Sequence, residues 1–238
     1  MNLSEILTEK NYKILNNDDK NIIYLEIDSK NFIIKYEKNN FYINNIIIDT
    51  KTNLKDKLND YLKYDCNFLI YCHPHPYDTH WQKDYFHSIT QKLGFKNVKY
   101  STLDIKNKPD IFKPDILADG FKGEFIEINS KYPIYDIVIL PDCGGDWFFK
   151  NSDTIIIFNM INNILKIIKE GGKLYLSKII GPITINDIYQ EFSKKYKCEI
   201  EHNKFNYDVE YLVITKNNNS INKLEELIDK YFNLFYFH

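Results

Sequence analysis

The chain is short of several features that would fix its class at once. It has no basic excess: 31 Lys and Arg stand against 33 Asp and Glu, a formal net charge of −2. A dedicated nucleic-acid binder usually carries such an excess, so any contact with RNA must rest on a local face. No apolar run approaches the roughly 18–20 residues that a membrane-spanning helix needs. Met1–Asp19 has neither the basic start nor the apolar core of a signal peptide. The four cysteines, Cys66, Cys72, Cys143 and Cys198, form no CxxC pair. That argues against a zinc ribbon or a disulfide framework, and it reads as the reduced thiols of a cytoplasmic protein. Glycine is scarce, with eight residues in 238, and none falls between Tyr71 and His80.

What is present is apolar and aromatic. Hydrophobic residues make up 44% of the chain, and 19 Tyr and 16 Phe exclude a disordered polymer. The length suits one large domain with an appendage. Residues 1–20 read as a short amphipathic start (Leu3, Ile6, Leu7) followed by a polar turn. Three strands follow, at 22–27, 32–36 and 41–48, separated by Asn, Asp, Ser and Lys. These define a β-meander extension over residues 1–50. From residue 51 to 216 helices and strands alternate. Leu54, Leu58, Tyr61 and Leu62 mark a helix, and 67–72 a strand. Residues 80–93 form a helix stopped by Gly94, and 98–103 a strand ending at Asp104. Residues 105–123 look like an irregular connection, and 125–128 like a short strand. Asp136–Leu140 is a strand, 153–169 a helix ended by Gly171, and 173–180 a strand. Thr184 and Asp187 open the next helix as a capping box. A strand pair, 198–205 and 211–216, closes the core. Residues 217–238 hold a linker, an amphipathic helix over 221–235 and an aromatic tail, Tyr231–Phe237. The tail suits docking on the domain or on a protein partner. The pattern predicts an α/β fold with a doubly wound, mostly parallel sheet and an antiparallel edge element.

Ligands of such sheets bind beyond the carboxyl ends of the strands. The residues there are His73 and His75 after the first core strand, Asp104 after the second, Asp142 after the third and Lys178 late in the fourth. Glu210 enters the last strand from the other direction. Asp136-Ile-Val-Ile-Leu-Pro-Asp142 and the helix–Gly171-Gly172–strand segment ending at Lys178 resemble the Rossmann-type S-adenosylmethionine (SAM) methyltransferases. Within them the pattern is similar to the FtsJ-like RNA ribose 2′-O-methyltransferases, which use a Lys–Asp–Lys–Glu tetrad. The resemblance covers residues 52–216. It implies SAM as cofactor and RNA as substrate. Asp142, Lys178 and Glu210 would be the last three tetrad members. Lys57 would be the first, chosen over Lys55 and Lys63. The resemblance also implies cofactor contacts from Tyr71, Cys72, His73, Asp104 and Asp142.

A SAM site ordinarily has a glycine-rich turn after its first strand. Here that turn is Tyr71-Cys-His-Pro-His-Pro-Tyr-Asp-Thr-His80, whose two prolines remove backbone donors and fix φ. A catalytically inactive methyltransferase-like scaffold or regulatory subunit is therefore a competing expectation. His73, His75 and His80 also admit a metal-dependent hydrolase, although no second ligand cluster accompanies them. A serine hydrolase would need a Gly-x-Ser-x-Gly elbow, which the chain lacks. Taken singly, Asp142 is an ordinary turn residue, while Lys178 and Glu210 are ordinary solvated strand ends. Their order on successive elements is what gives them weight.

Overall fold

Three two-residue turns build the N-terminal layer. Asp28-Ser29, Lys38-Asn39 and Asn44-Asn45 all have φ between 48° and 68°. Paired left-handed residues are the geometry that joins right-twisted strands most tightly. The computed structural model describes residues 13–19, 21–48, 54–71, 80–104, 114–120, 123–140, 154–177, 184–203 and 209–217. Strands β1 (Lys13–Asp19), β2 (Ile22–Ile27), β3 (Lys30–Glu37), β4 (Asn40–Ile43) and β5 (Ile46–Ile48) form one antiparallel sheet in chain order. The single strand expected over 41–48 is thus two, broken at Asn44-Asn45. Residues 13–19, expected to be a turn, are a strand instead. Their register against β2 shifts twice, so the backbone pairing is irregular.

Both faces of this sheet are covered. Ile23, Leu25, Ile27, Phe32, Ile34 and Ile43 pack with Leu54, Leu58 and Tyr61 of α1 (Leu54–Leu62). Tyr24 and Ile33, on the alternate positions, join the main core. Lys30 Nζ donates to Leu62 O (2.6 Å) and Tyr64 O (2.8 Å), satisfying carbonyls at the end of α1.

The second sheet has seven strands. They are β6 (Cys66–Tyr71), β7 (Val98–Asp104), β8 (Ile116–Leu117), β9 (Tyr135–Leu140), β10 (Ile168–Ser177), β11 (Lys197–Asn203) and β12 (Val209–Thr215). Their order is β11-β12-β10-β9-β6-β7-β8. The pairs from β8 to β10 are parallel, while β12 is antiparallel to both β10 and β11. Leu69, Tyr71, Val138, Leu140, Leu174 and Leu176 point to a face covered by α3 (Glu124–Lys131), α4 (Thr154–Ile167) and α5 (Ile185–Phe192). Phe68, Ile70, Ile137, Ile139 and Tyr175 point to the other face, under α2 (His80–Lys92). Helices on both faces of a parallel sheet make the fold doubly wound, as expected from the sequence.

Two local expectations change. Residues 124–131 form a helix where a short strand was expected. Phe125, Ile126, Ile128 and Asn129 are buried at helical spacing, and the segment was too short to reveal its period. Gly171-Gly172 does not precede β10 but lies within it, in an irregularity between the pairs Ile168–Tyr135 and Lys173–Ile137. Gly171 has φ 74°, and a Cβ on Gly172 would lie 2.8 Å from Asp136 O. By contrast, the stops read from sequence at Gly94 and Thr184 are there. Gly94 (φ 85°) and Phe95 return hydrogen bonds to Gln91 O and Thr90 O. Thr184 and Asp187 form the reciprocal capping box.

Candidate functional site

The chain runs outward from β6 to β7 and β8, then crosses to the opposite side of β6 for β9 and β10. The crevice at that reversal, between the carboxyl ends of β6 and β9, is where an open α/β sheet binds its ligand. β6 delivers Tyr71 to its rim and β7 delivers Asp104, and Tyr71 is paired with Leu103 in the parallel register. Asp104 is partly exposed, and its backbone carbonyl accepts from Ala118 N–H at 3.1 Å. Tyr71 is fully buried. Gly120, just past β8, approaches its ring so closely that a Cβ would lie 2.5 Å from Tyr71 Cζ and Oη. Sequence reasoning placed Gly120 only in the irregular connection 105–123 and gave it no role. Its neighbour Asp119 was overlooked too, a second carboxylate close after a strand end. The only signal was an Asp-Gly pair after three apolar residues.

On the other side of the crevice β10 ends at Ser177, which pairs with Tyr211 of β12. Tyr85 of α2 stacks on Tyr211, with ring centroids 5.0 Å apart. Glu210 therefore enters β12 at the same edge. Its backbone is placed by the pairing with His202, but its side chain is not among those described. Cys72, His73, His75, Asp142, Cys143 and Lys178 lie outside the described residues, as does the tail 217–238 beyond Asn217. Lys57 is described, on α1. Its charge acts on Asp60 and, by repulsion, on Lys99. Lys99 is the second residue of β7, roughly 16 Å of strand before Asp104. The structure thus gathers Tyr71, Asp104 and the start of β12 at one end of the sheet, and places Lys57 toward the other.

The opposite ends of the strands carry a different polar group. Asp136 accepts Asn67 N–H at 2.8 Å and Lys169 Nζ at 2.8 and 3.0 Å. It ties the beginnings of β6, β9 and β10 together. Burial pushes the Cys66 thiol up, and pushes Cys198 up to about 12. Both thiols are therefore protonated at neutral pH and poor nucleophiles. Among the described residues, no three His, Cys, Asp or Glu side chains gather to hold a metal ion. No helix among them is long and apolar enough to cross a membrane.

A central β6, two strands outward, two on the far side and an antiparallel β12 beside β10 make the sheet that the resemblance implied. The fold is an open, doubly wound α/β sheet with an antiparallel edge element. No family model matches the chain, and no curated protein matches it in sequence. Among solved structures it is similar to a SAM-dependent methyltransferase from Archaeoglobus fulgidus, at 11% identity and TM-score 0.40, over 68% of this chain and 93% of that one. It is likewise similar to a ribosomal RNA methyltransferase from Plasmodium falciparum, at 15% and 0.38, over 70% and 95%. A third is the 1,6-didemethyltoxoflavin N1-methyltransferase of Burkholderia thailandensis, at 10% and 0.39, over 68% and 76%. The fold class rests on the strand order, not on these overlaps.

Proposed function

We propose that the chain is a SAM-dependent methyltransferase, or a diverged relative of one, that acts on an RNA ribose 2′-hydroxyl. The observation that carries the reading is the carboxylate of Asp104 on the strand next to the crevice at the β6/β9 reversal. A partly exposed acid there suits the paired hydroxyls of the cofactor's ribose. Tyr71 ends β6 at the same crevice, and in the sequence Cys72 and His73 follow β6 while Asp142 follows β9. SAM supplies an electrophilic methyl group, and the chain's part is to place and deprotonate the acceptor. A ribose hydroxyl is a weak acid. Lys178, desolvated beside a second lysine, would have the lowered pKa needed to take its proton. Asp142 and Glu210 would orient the lysines and balance their charge, and alignment of the hydroxyl does the rest. Lys57 is a poor fit to the tetrad, since its neighbours are Asp60 and Lys99.

Calorimetric titration of the full chain with SAM tests the reading. Saturable binding, weakened at least about tenfold by Asp104→Ala, is expected. Absence of binding at millimolar SAM overturns the enzyme. Labelled methyl transfer to an RNA, but not to DNA of the same sequence, tests the acceptor.

The glycine-free turn at 71–80 favours a second reading, in which the fold serves as a non-catalytic scaffold or regulatory subunit. It predicts no SAM binding in the same titration.

A further inference from the structure

We propose that Lys57, Tyr61, Tyr64 and Lys99 form a binding site for a phosphate group, at the end of the sheet opposite the crevice. Lys57, Tyr61 and Tyr64 fall at i, i+4 and i+7, one stripe along α1 and the turn that follows it. Lys99 meets them from the second position of β7, roughly 16 Å of strand before Asp104. The site is therefore separate from the crevice of the methyltransferase reading.

Four donors gather there without an acceptor. Lys99 Nζ lies 5.4 Å from the Tyr61 ring centroid and 5.9 Å from that of Tyr64, and the two rings stand edge to face, 6.5 Å apart. Ring contacts attract an ammonium but leave its N–H groups without an oxygen. Among the described residues, Lys57 and Lys99 make no ion pair, and neither their ammonium groups nor the hydroxyls of Tyr61 and Tyr64 make a hydrogen bond. Tyr61 is 5% exposed. Burial and the nearby Asp115 carboxylate hold its phenol well above the usual range, so at neutral pH it is a donor. Burial also presses Lys99 to give up its proton; Asp115 opposes this and Lys57, by repulsion, adds to it. Asp115 attracts Lys99 without reaching it, because Thr102 holds the carboxylate: Oδ2 accepts Thr102 N–H at 2.8 Å and the Thr102 hydroxyl at 3.1 Å. A phosphate beside the two ammonium groups would relieve their repulsion and offer several acceptor oxygens to the four donors. The frame is already set. Lys30 Nζ donates to Leu62 O and Tyr64 O, and Tyr64 N–H donates to Tyr61 O at 3.2 Å. A site fixed beforehand binds without first ordering itself.

The test is calorimetric titration of the full chain at low salt with inorganic phosphate and, separately, with phenyl phosphate. Saturable binding is expected, weakened by added salt. Tighter phenyl phosphate assigns the site to a phosphate ester, and phosphate as tight or tighter assigns it to the free ion. Lys99→Gln should weaken binding at least about tenfold, and Tyr61→Phe at least about threefold. Asp115→Asn keeps an acceptor for Thr102 but removes a charge that repels the ligand, so it should strengthen binding at least about threefold. Lys194→Gln, just past α5 and so near the β11–β12 edge of the sheet, should change nothing. No saturation below about 50 mM, unchanged affinity in Lys99→Gln, an Asp115→Asn variant that binds no more tightly, or a loss in Lys194→Gln equal to that in Lys99→Gln would overturn the proposal. If Lys99→Gln or Tyr61→Phe fails to fold, the direction of the Asp115→Asn change decides.

Discussion

Replacing Asp136 by alanine should destabilise the protein more than any change at its partner, Lys169. The carboxylate accepts the backbone N–H of Asn67 at 2.8 Å, two residues into β6, just before the β6–β9 pairs begin at Phe68 and Ile137. A charge-assisted bond of this kind is worth about 1.5–3 kcal/mol. The ion pair adds less, about 0.5–1 kcal/mol, because the side chains are 17% and 28% exposed. Asp136→Ala should therefore cost about 3 kcal/mol, a fall in Tm of roughly 6–12 °C for a chain of this size. Lys169→Met removes only the pair and should cost about 1 kcal/mol. Asp136→Asn keeps an acceptor for Asn67 and should fall between them. Urea unfolding followed by far-ultraviolet circular dichroism measures all three. An Asp136→Ala variant within about 0.5 kcal/mol of wild type, or a costlier Lys169→Met, would refute the reasoning.

Two further outcomes follow from single residues. Lys216 is buried, and desolvation lowers its pKa to about 8. Its folded value lies below its unfolded one, so unfolding takes up a proton between pH 8 and 10.5 and stability gains with pH across that window. The gain is at most about 3 kcal/mol. It is read as the difference in urea stability between wild type and Lys216→Met at pH 7.5 and pH 10, and a difference that does not change with pH would contradict it. Gly120→Ala drives a Cβ to 2.5 Å from Tyr71 Oη and 2.7 Å from Leu103 Cδ2. Overpacking of that kind costs about 1–3 kcal/mol, and a melt indistinguishable from wild type would mean that the Tyr71 ring has room to move.

Much of the fold was legible because its elements announce themselves by period and punctuation. Leu54, Leu58 and Tyr61 repeat helically and are buried on α1. Ile137, Val138 and Ile139 are fully buried in a strand covered on both faces, so a continuous apolar run marked it. Residues 124–131 misled because one short helix buries four of its eight residues, and a window of that length fits either period. β1 misled for the opposite reason: Asn16, Asn17, Asp18 and Asp19 carry no apolar alternation, yet their backbone pairs with β2. At the site, Asp104 was legible as an acid that ends a strand. Gly120 was not, because its constraint is a tertiary contact with Tyr71, 49 positions earlier in the chain. The Lys35–Glu124 ion pair was hidden in the same way, since the two meet only when the N-terminal sheet docks on α3.

The strand order has a consequence for synthesis. β12 lies between β10 and β11, although it is the last of the three to leave the ribosome. A growing chain that has reached Asn203 therefore holds β10 as an open edge, with its hydrogen-bonding groups unmatched on one side. Domains form from the N-terminus while translation proceeds, and a bare apolar edge invites pairing with another chain. Lys216 deepens the dependence: its backbone bonds Gly171 and Gly172, and its Nζ bonds Ile168 O. The end of α4 and the glycine bulge thus stay unclosed over the same interval. The period of greatest risk for a nascent copy of this protein is the passage of about a dozen residues, from the end of β11 to Lys216.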